Sequence, residues 1–158
     1  MAKYDVESFL TNIKSVFQNK LNTKISAINT EKGDFSIDQI PDAAWYFNHI
    51  PEVWSYNTFV VWGLSNLAVA SAQPDAIIQT PTVFIEVCIV DKGQPTNESV
   101  IYQLLRYSRS LLEVSNENYD KLRGYGKLQL ESLSPSLVDI SGKRLRMAGI
   151  NLTVSFDA

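Results

Sequence analysis

With 158 residues, 45% of them apolar and 20% charged, the chain has the make-up of one globular domain, 1–158, and neither a disordered tail nor a fibrous repeat. Fourteen Lys and Arg against seventeen Asp and Glu give a net charge of -3, without the basic excess of a bulk nucleic-acid binder. A single cysteine, Cys88, excludes an internal disulfide and a Cys-based zinc cluster within one chain.

The first segment predicts a helix. Val6, Phe9, Leu10, Ile13, Val16, Phe17 and Leu21 recur at spacings of three and four and form one apolar stripe. Lys3, Asp5 and Glu7 interrupt any signal-like run, and the most apolar stretch, 83–90, is too short to span a bilayer and contains Glu86. The protein is therefore expected to have no membrane partner and to stay in the cytoplasm that makes it, or in a particle assembled there.

Residues 22–57 read as irregular and unusually aromatic. A turn is expected at 31–34, and Pro41 and Pro51 oppose regular pairing. Trp45, Tyr46, Phe47, Trp54 and Tyr56 lie here, beside the only histidine, His49. Such an arm either caps the core or docks another subunit, since aromatic residues are enriched in both places.

Two strands follow, at 58–64 and 82–90, rich in β-branched and aromatic residues. The second is apolar on both faces, as a covered central strand should be. Between them, 65–81 is a long excursion in which 68–72 suggest a short helical turn. A turn cluster at 91–95 leads to a second helix, with Thr96 or Asn97 as cap and Glu98 near the positive end of the dipole. Its apolar face comprises Val100, Ile101, Leu104, Leu105, Tyr107, Ser108, Leu111 and Leu112, with Arg106, Arg109 and Glu113 turned elsewhere and an end near Ser115.

The final third reads as β. Residues 127–131 alternate before Pro135 breaks the run, 138–141 and 143–147 pair around Gly142, and 150–157 alternate most cleanly of all. The expected class is α+β: a mixed, mostly antiparallel sheet covered by an N-terminal helix and a second central helix, with a long aromatic-rich arm.

Few residues carry chemistry. Pro74-Asp75 followed by Glu86 on a strand resembles the start of a Mg²⁺-dependent nuclease motif, two carboxylates being suitable ligands for a hard cation. The lysine that should stand two positions after Glu86 is Cys88, so a hydrogen-bonded or interfacial Glu86 is the stronger reading. His49 has no serine in a nucleophile-elbow context, and one His with one Cys cannot hold zinc. Gly124-Tyr125-Gly126 has Gln129 where a dinucleotide loop needs its third glycine, and a strand follows it. No cofactor or metal site and no catalytic residue is expected. Arg144 and Arg146 share one face of a strand and suit ion pairing across a subunit contact. Charge is also segregated: 1–57 and 58–98 are acidic and 99–158 is basic, which favours head-to-tail packing between copies.

The order of these elements resembles the tail terminator (tail completion) proteins of long-tailed bacteriophages. The amphipathic helix to Leu21, the stretch 25–34, the aromatic arm, the paired apolar strands, the helix starting near Asn97 and the closing strand 150–156 carry the resemblance. It implies a structural virion protein, not an enzyme, assembled as a ring, often a hexamer, at the head-proximal end of the tail tube. Such a ring stops tube growth and offers a docking surface to a connector or stopper protein of the filled head. DNA would be only passing cargo in an acidic lumen, and the protein would reside at the head–tail junction after assembly in the host cytoplasm. Another neck or head–tail connector subunit is the alternative. From the residues themselves, Trp45, Tyr46, Phe47, Trp54, Tyr56, Arg144 and Arg146 are the expected subunit or partner contacts. Replacing Trp54 by Ala is expected to weaken assembly and leave the isolated subunit folded.

Overall fold

A computed structural model describes residues 4–73, 76–91, 98–124, 126–140 and 142–157. Among the described residues three α-helices, α1 (Val6–Lys32), α2 (Glu98–Glu117) and α3 (Tyr119–Arg123), pack on a six-stranded sheet, with a 3-10 turn at Asp42–Ala44. The strands are β1 (Trp45–Phe47), β2 (Thr58–Gln73), β3 (Ala76–Asp91), β4 (Gln129–Ile140), β5 (Lys143–Thr153) and β6 (Phe156–Asp157). Their order is β1-β2-β3-β5-β4, with β6 paired to the outer part of β3. Only the β1–β2 pair is parallel. The fold is thus α+β with a mixed, mostly antiparallel sheet, as the sequence implied.

α1 starts where Asp5 accepts the Ser8 N–H at 2.9 Å, and ends where Gly33 takes the left-handed conformation at φ 68°. It runs well past Leu21. Ile25 and Ile28 continue the buried stripe of Phe9, Ile13, Val16, Phe17 and Leu21, so 22–32 is helix where the sequence suggested irregular chain. The polar residues that obscured this have partners. Asn29 Nδ2 donates to Ile37 O at 3.0 Å while its Oδ1 accepts the Ile37 N–H at 2.8 Å. Asn22 does the same for Ile40, at 2.9 and 2.8 Å. Gln18 reaches Asp42 O, and Gln39 reaches Ser26. The chain after Gly33 therefore returns antiparallel along α1, fastened residue by residue.

α2 closes the other side of this segment. Arg106, expected off the apolar face, is 7% exposed, with Nη2 3.0 Å from Asp34 Oδ2 and Nη1 donating to Phe35 O. Its guanidinium also lies 4.0 Å from the Phe35 ring centre. Tyr107 donates its hydroxyl to Asp38 O at 2.7 Å. Ile101 and Leu105, both on the expected apolar face, remain exposed, so the buried face of α2 is narrower than the sequence suggested. α3 went unrecognised in the sequence; Tyr4 donates to its Leu122 carbonyl. The expected caps Thr96 and Asn97 lie outside the described residues.

The largest difference concerns 65–81. Leu67 pairs with Pro81, Val69 with Gln79 and Ser71 with Ile77, so β2 and β3 run on together as one long hairpin and no helical turn forms at 68–72. Alanines there signalled helix, whereas cross-strand pairing decided the outcome. Pro135 ends no strand. It sits at the register shift between Leu133 and Ser136 in β4, an edge strand, where a missing N–H is tolerated. The hairpin around Gly142 forms as expected, with Gly142 at φ 79°. Ile150, Leu152, Val154 and Phe156 of the alternating 150–157 are all buried, but the run is not one strand. Residues 143–153 form β5 together, and after a break at 154–155 Phe156 and Asp157 pair with β3 as β6.

Candidate functional site

The pairing register sorts the sheet into two faces. Thr58, Val60, Trp62, Val83, Ile85, Val87, Ile150 and Leu152 lie on the face that carries the helices. The opposite face is built in rows across β2, β3 and β5: Phe59–Cys88–Met147, Val61–Glu86–Gly149 and Gly63–Phe84–Asn151. The aromatic arm covers only one end of this second face. Tyr46 meets Phe59 edge-on at 5.6 Å, Trp54 lies 6.3 Å from the same ring, and Lys143 Nζ sits 5.3 Å from the Trp54 ring centre. Burial there pushes the Cys88 thiol up, which keeps it inert.

Beyond the arm the face opens into a recess of about 490 Å³, lined by Asn48, Ile50, Val61, Phe84, Glu86 and Met147, with His49, Ser65 and Asn151 at its margin. Two glycines shape it. A Cβ on Gly149 would strike Ile85 O and lie 2.8 Å from Glu86 Cγ, so only glycine lets the β3 backbone and the Glu86 stem approach β5 this closely. A Cβ on Gly63 would strike Asn48 Oδ1, which accepts the Leu64 N–H at 3.1 Å. Burial raises the Glu86 carboxyl above its ordinary value. Among the described residues no hydrogen bond or ion pair reaches it. His49 Nδ1 is occupied by Phe47 O at 2.8 Å.

The helix-bearing face has its own open region. Past Val83 the long hairpin continues beyond the helices, and Leu67, Val69 and Ile77 fall on this face by register. They are 39, 61 and 47% exposed. Sequence reading missed them, although the period-two pattern of Leu67 and Val69 was the available signal.

The residues expected at contacts are not gathered in one place. Tyr46, Trp54 and Tyr56 pack against the core, Trp54 also donating its indole N–H to Pro51 O at 2.8 Å. Trp45 is partly buried, its indole nitrogen without a partner among the described residues. Phe47 stacks on Trp62 at 4.8 Å yet stays 47% exposed. Arg144 is exposed and paired with Asp139 at 3.0 Å, whereas the Arg146 side chain is 12% exposed and turned to Asp91 at 3.6 Å. Asp75 lies outside the described residues, so the Asp75–Glu86 pair has no described geometry. Among the described residues no group of three or more His, Cys, Asp or Glu is placed to hold a metal.

No protein-family model matches the chain, and no curated protein matches it.

Proposed function

We propose that this protein is a structural subunit that closes into a ring at the head-proximal end of a bacteriophage tail tube, stopping tube growth and presenting a docking surface to the head-side connector. One observation carries the reading: the apolar face of the β2–β3 hairpin runs out past the helices that cover its base. Apart from the two-residue pairing of β6 at Ile78 and Gln79, the extension is a two-stranded ribbon, which is marginal alone in water. Leu67, Val69 and Ile77 gain a cover when a neighbouring copy packs on them. A heterologous contact of this kind generates a closed ring when its rotation closes. The ring's partners are further copies of itself, with a hexamer as the expected number, then the tail tube protein and a connector or stopper. DNA passes through as cargo, and the chain performs no catalysis.

The ribbon provides the test. Val69→Glu with Ile77→Glu changes exposed positions, so the isolated subunit should keep its melting temperature while losing assembly. Sedimentation velocity should give the unmodified chain a mass several times 17.8 kDa, alone or with assembled tail tubes, and electron micrographs should show rings. A chain that stays monomeric at every concentration and ignores tail tubes overturns the proposal. So does a glutamate variant that assembles normally.

A further inference from the structure

We propose that the recess at Glu86 receives the lysine or arginine side chain of a neighbouring copy of this chain, an inference that rests on the ring reading above. The carboxylate is half-buried between Val61 and Gly149 and, among the described residues, meets no cation and no hydrogen-bond donor. A carboxylate half-withdrawn from water with no partner loses hydration that nothing among the described residues replaces, and a counter-charge supplied from outside would restore it. Among the described residues no Lys or Arg lines the recess. Its walls suit the stem of such a side chain: Val61, Ile50, Phe84 and Met147 supply apolar surface along which methylene groups lie. Asn48, Asn151 and Ser65 supply oxygen acceptors at the margin for the remaining N–H groups. Glu131, opposite Asn151 on β4, adds a second carboxylate to the same face.

The occupant follows from charge. On the helix layer, Lys14 and Lys20 of α1 and Lys121 of α3 are exposed and take part in no ion pair among the described residues. Asn12 donates to the Lys121 carbonyl, which places α3 against the start of α1 and away from the recess. Apart from Lys127, which precedes β4, and Lys143, which lies against the Trp54 ring, the exposed unpaired lysines among the described residues lie on the layer opposite the Glu86 carboxylate, an arrangement complementary between copies. Such polarity is what a head-to-tail contact requires, and it fixes register as well as attraction.

Charge exchange tests this. Glu86→Gln should leave the isolated subunit folded, with an unchanged or higher melting temperature, and weaken self-association at least tenfold. Glu86→Lys should abolish assembly, and one of Lys14→Glu, Lys20→Glu or Lys121→Glu in the same chain should restore it. On the isolated subunit, agmatine should shift the amide resonances of Phe84, Glu86 and Met147 saturably, and Glu86→Gln should remove those shifts. If the unmodified chain forms rings and Glu86→Lys forms them equally well, this inference fails and the ring reading stands. If no lysine reversal restores Glu86→Lys, the neighbouring copy is not the donor. A chain that never assembles overturns the ring reading and the donor together, while agmatine shifts would still support the recess as a cation site.

Discussion

Asn22 and Asn29 hold the chain after α1 in place, and removing them should detach it. Seven residues along a helix span about 10.5 Å. Three residues of extended chain, from Ile37 to Ile40, cover nearly the same distance at about 3.3–3.6 Å each. The two side chains therefore meet two backbone amides in register, and each satisfies both the N–H and the C=O of its isoleucine. Ile37 and Ile40 are buried, so water does not replace the lost bonds without movement of the segment. A buried polar group left unpaired costs about 1–3 kcal/mol. Ala returns up to roughly 0.7 kcal/mol through its better helix propensity. Each single Asn→Ala change should thus cost about 2–3 kcal/mol, a lowering of the melting temperature by roughly 5–10 °C for a chain of this size. The pair should cost less than the sum, because once one fastening is lost the other holds a looser segment. Urea unfolding measures the loss, and amide exchange at Ile37 and Ile40 localises it. A change below about 0.5 kcal/mol with protection intact at both amides would refute the reasoning.

Two further expectations concern stability. The Arg106 guanidinium beside Asp34 holds that carboxyl at about 2, below the ordinary value near 4. A lowered folded-state value contributes stability that is present above the unfolded value and is lost as pH falls from about 4 towards 2. Arg106→Met should flatten this acid limb, and an unchanged limb would assign it to other carboxylates. Trp54→Ala should cost the isolated subunit about 1.5–3 kcal/mol, less than the 3–5 of a fully buried tryptophan, because its indole is only partly enclosed over Phe59. A cost of that size is compatible with the sequence-based expectation that the isolated subunit stays folded after this change; a loss that unfolds it would make Trp54 a core residue. Chemical denaturation of the monomer decides between them.

Much of the architecture was legible because one-dimensional periodicity follows directly from how helices and strands present side chains. The stripe from Phe9 to Leu21 and the apolar run of β3 marked their elements, and the alternation to Phe156 marked its buried side chains. That alternation is nevertheless split between β5 and β6, and the Phe84–Glu86 side of β3 lies open where cover was expected. The order helix, strands, helix, strands then implied an α+β sheet. Glu86 also stood out as a carboxylate in an apolar strand.

Tertiary structure decided what those patterns left open. Asn22, Ser26 and Asn29 look like loop residues because their helix propensity is low, yet they are helical because a returning strand of chain uses their polar groups. Residues 65–73 and 76–81 have no strong local preference, and only pairing between β2 and β3 made them a ribbon. Arg106 is charged, but Asp34 and the Phe35 ring and carbonyl let it be buried. The deciding partner lies 72 residues back for Arg106, but only 8 and 18 residues on for Asn29 and Asn22 and across a single hairpin for β2 and β3; apolar periodicity carries no trace of such polar and cross-strand partners at either range. The open apolar ribbon and the unpaired carboxylate of Glu86 are likewise products of which surfaces the fold covered and which it left bare.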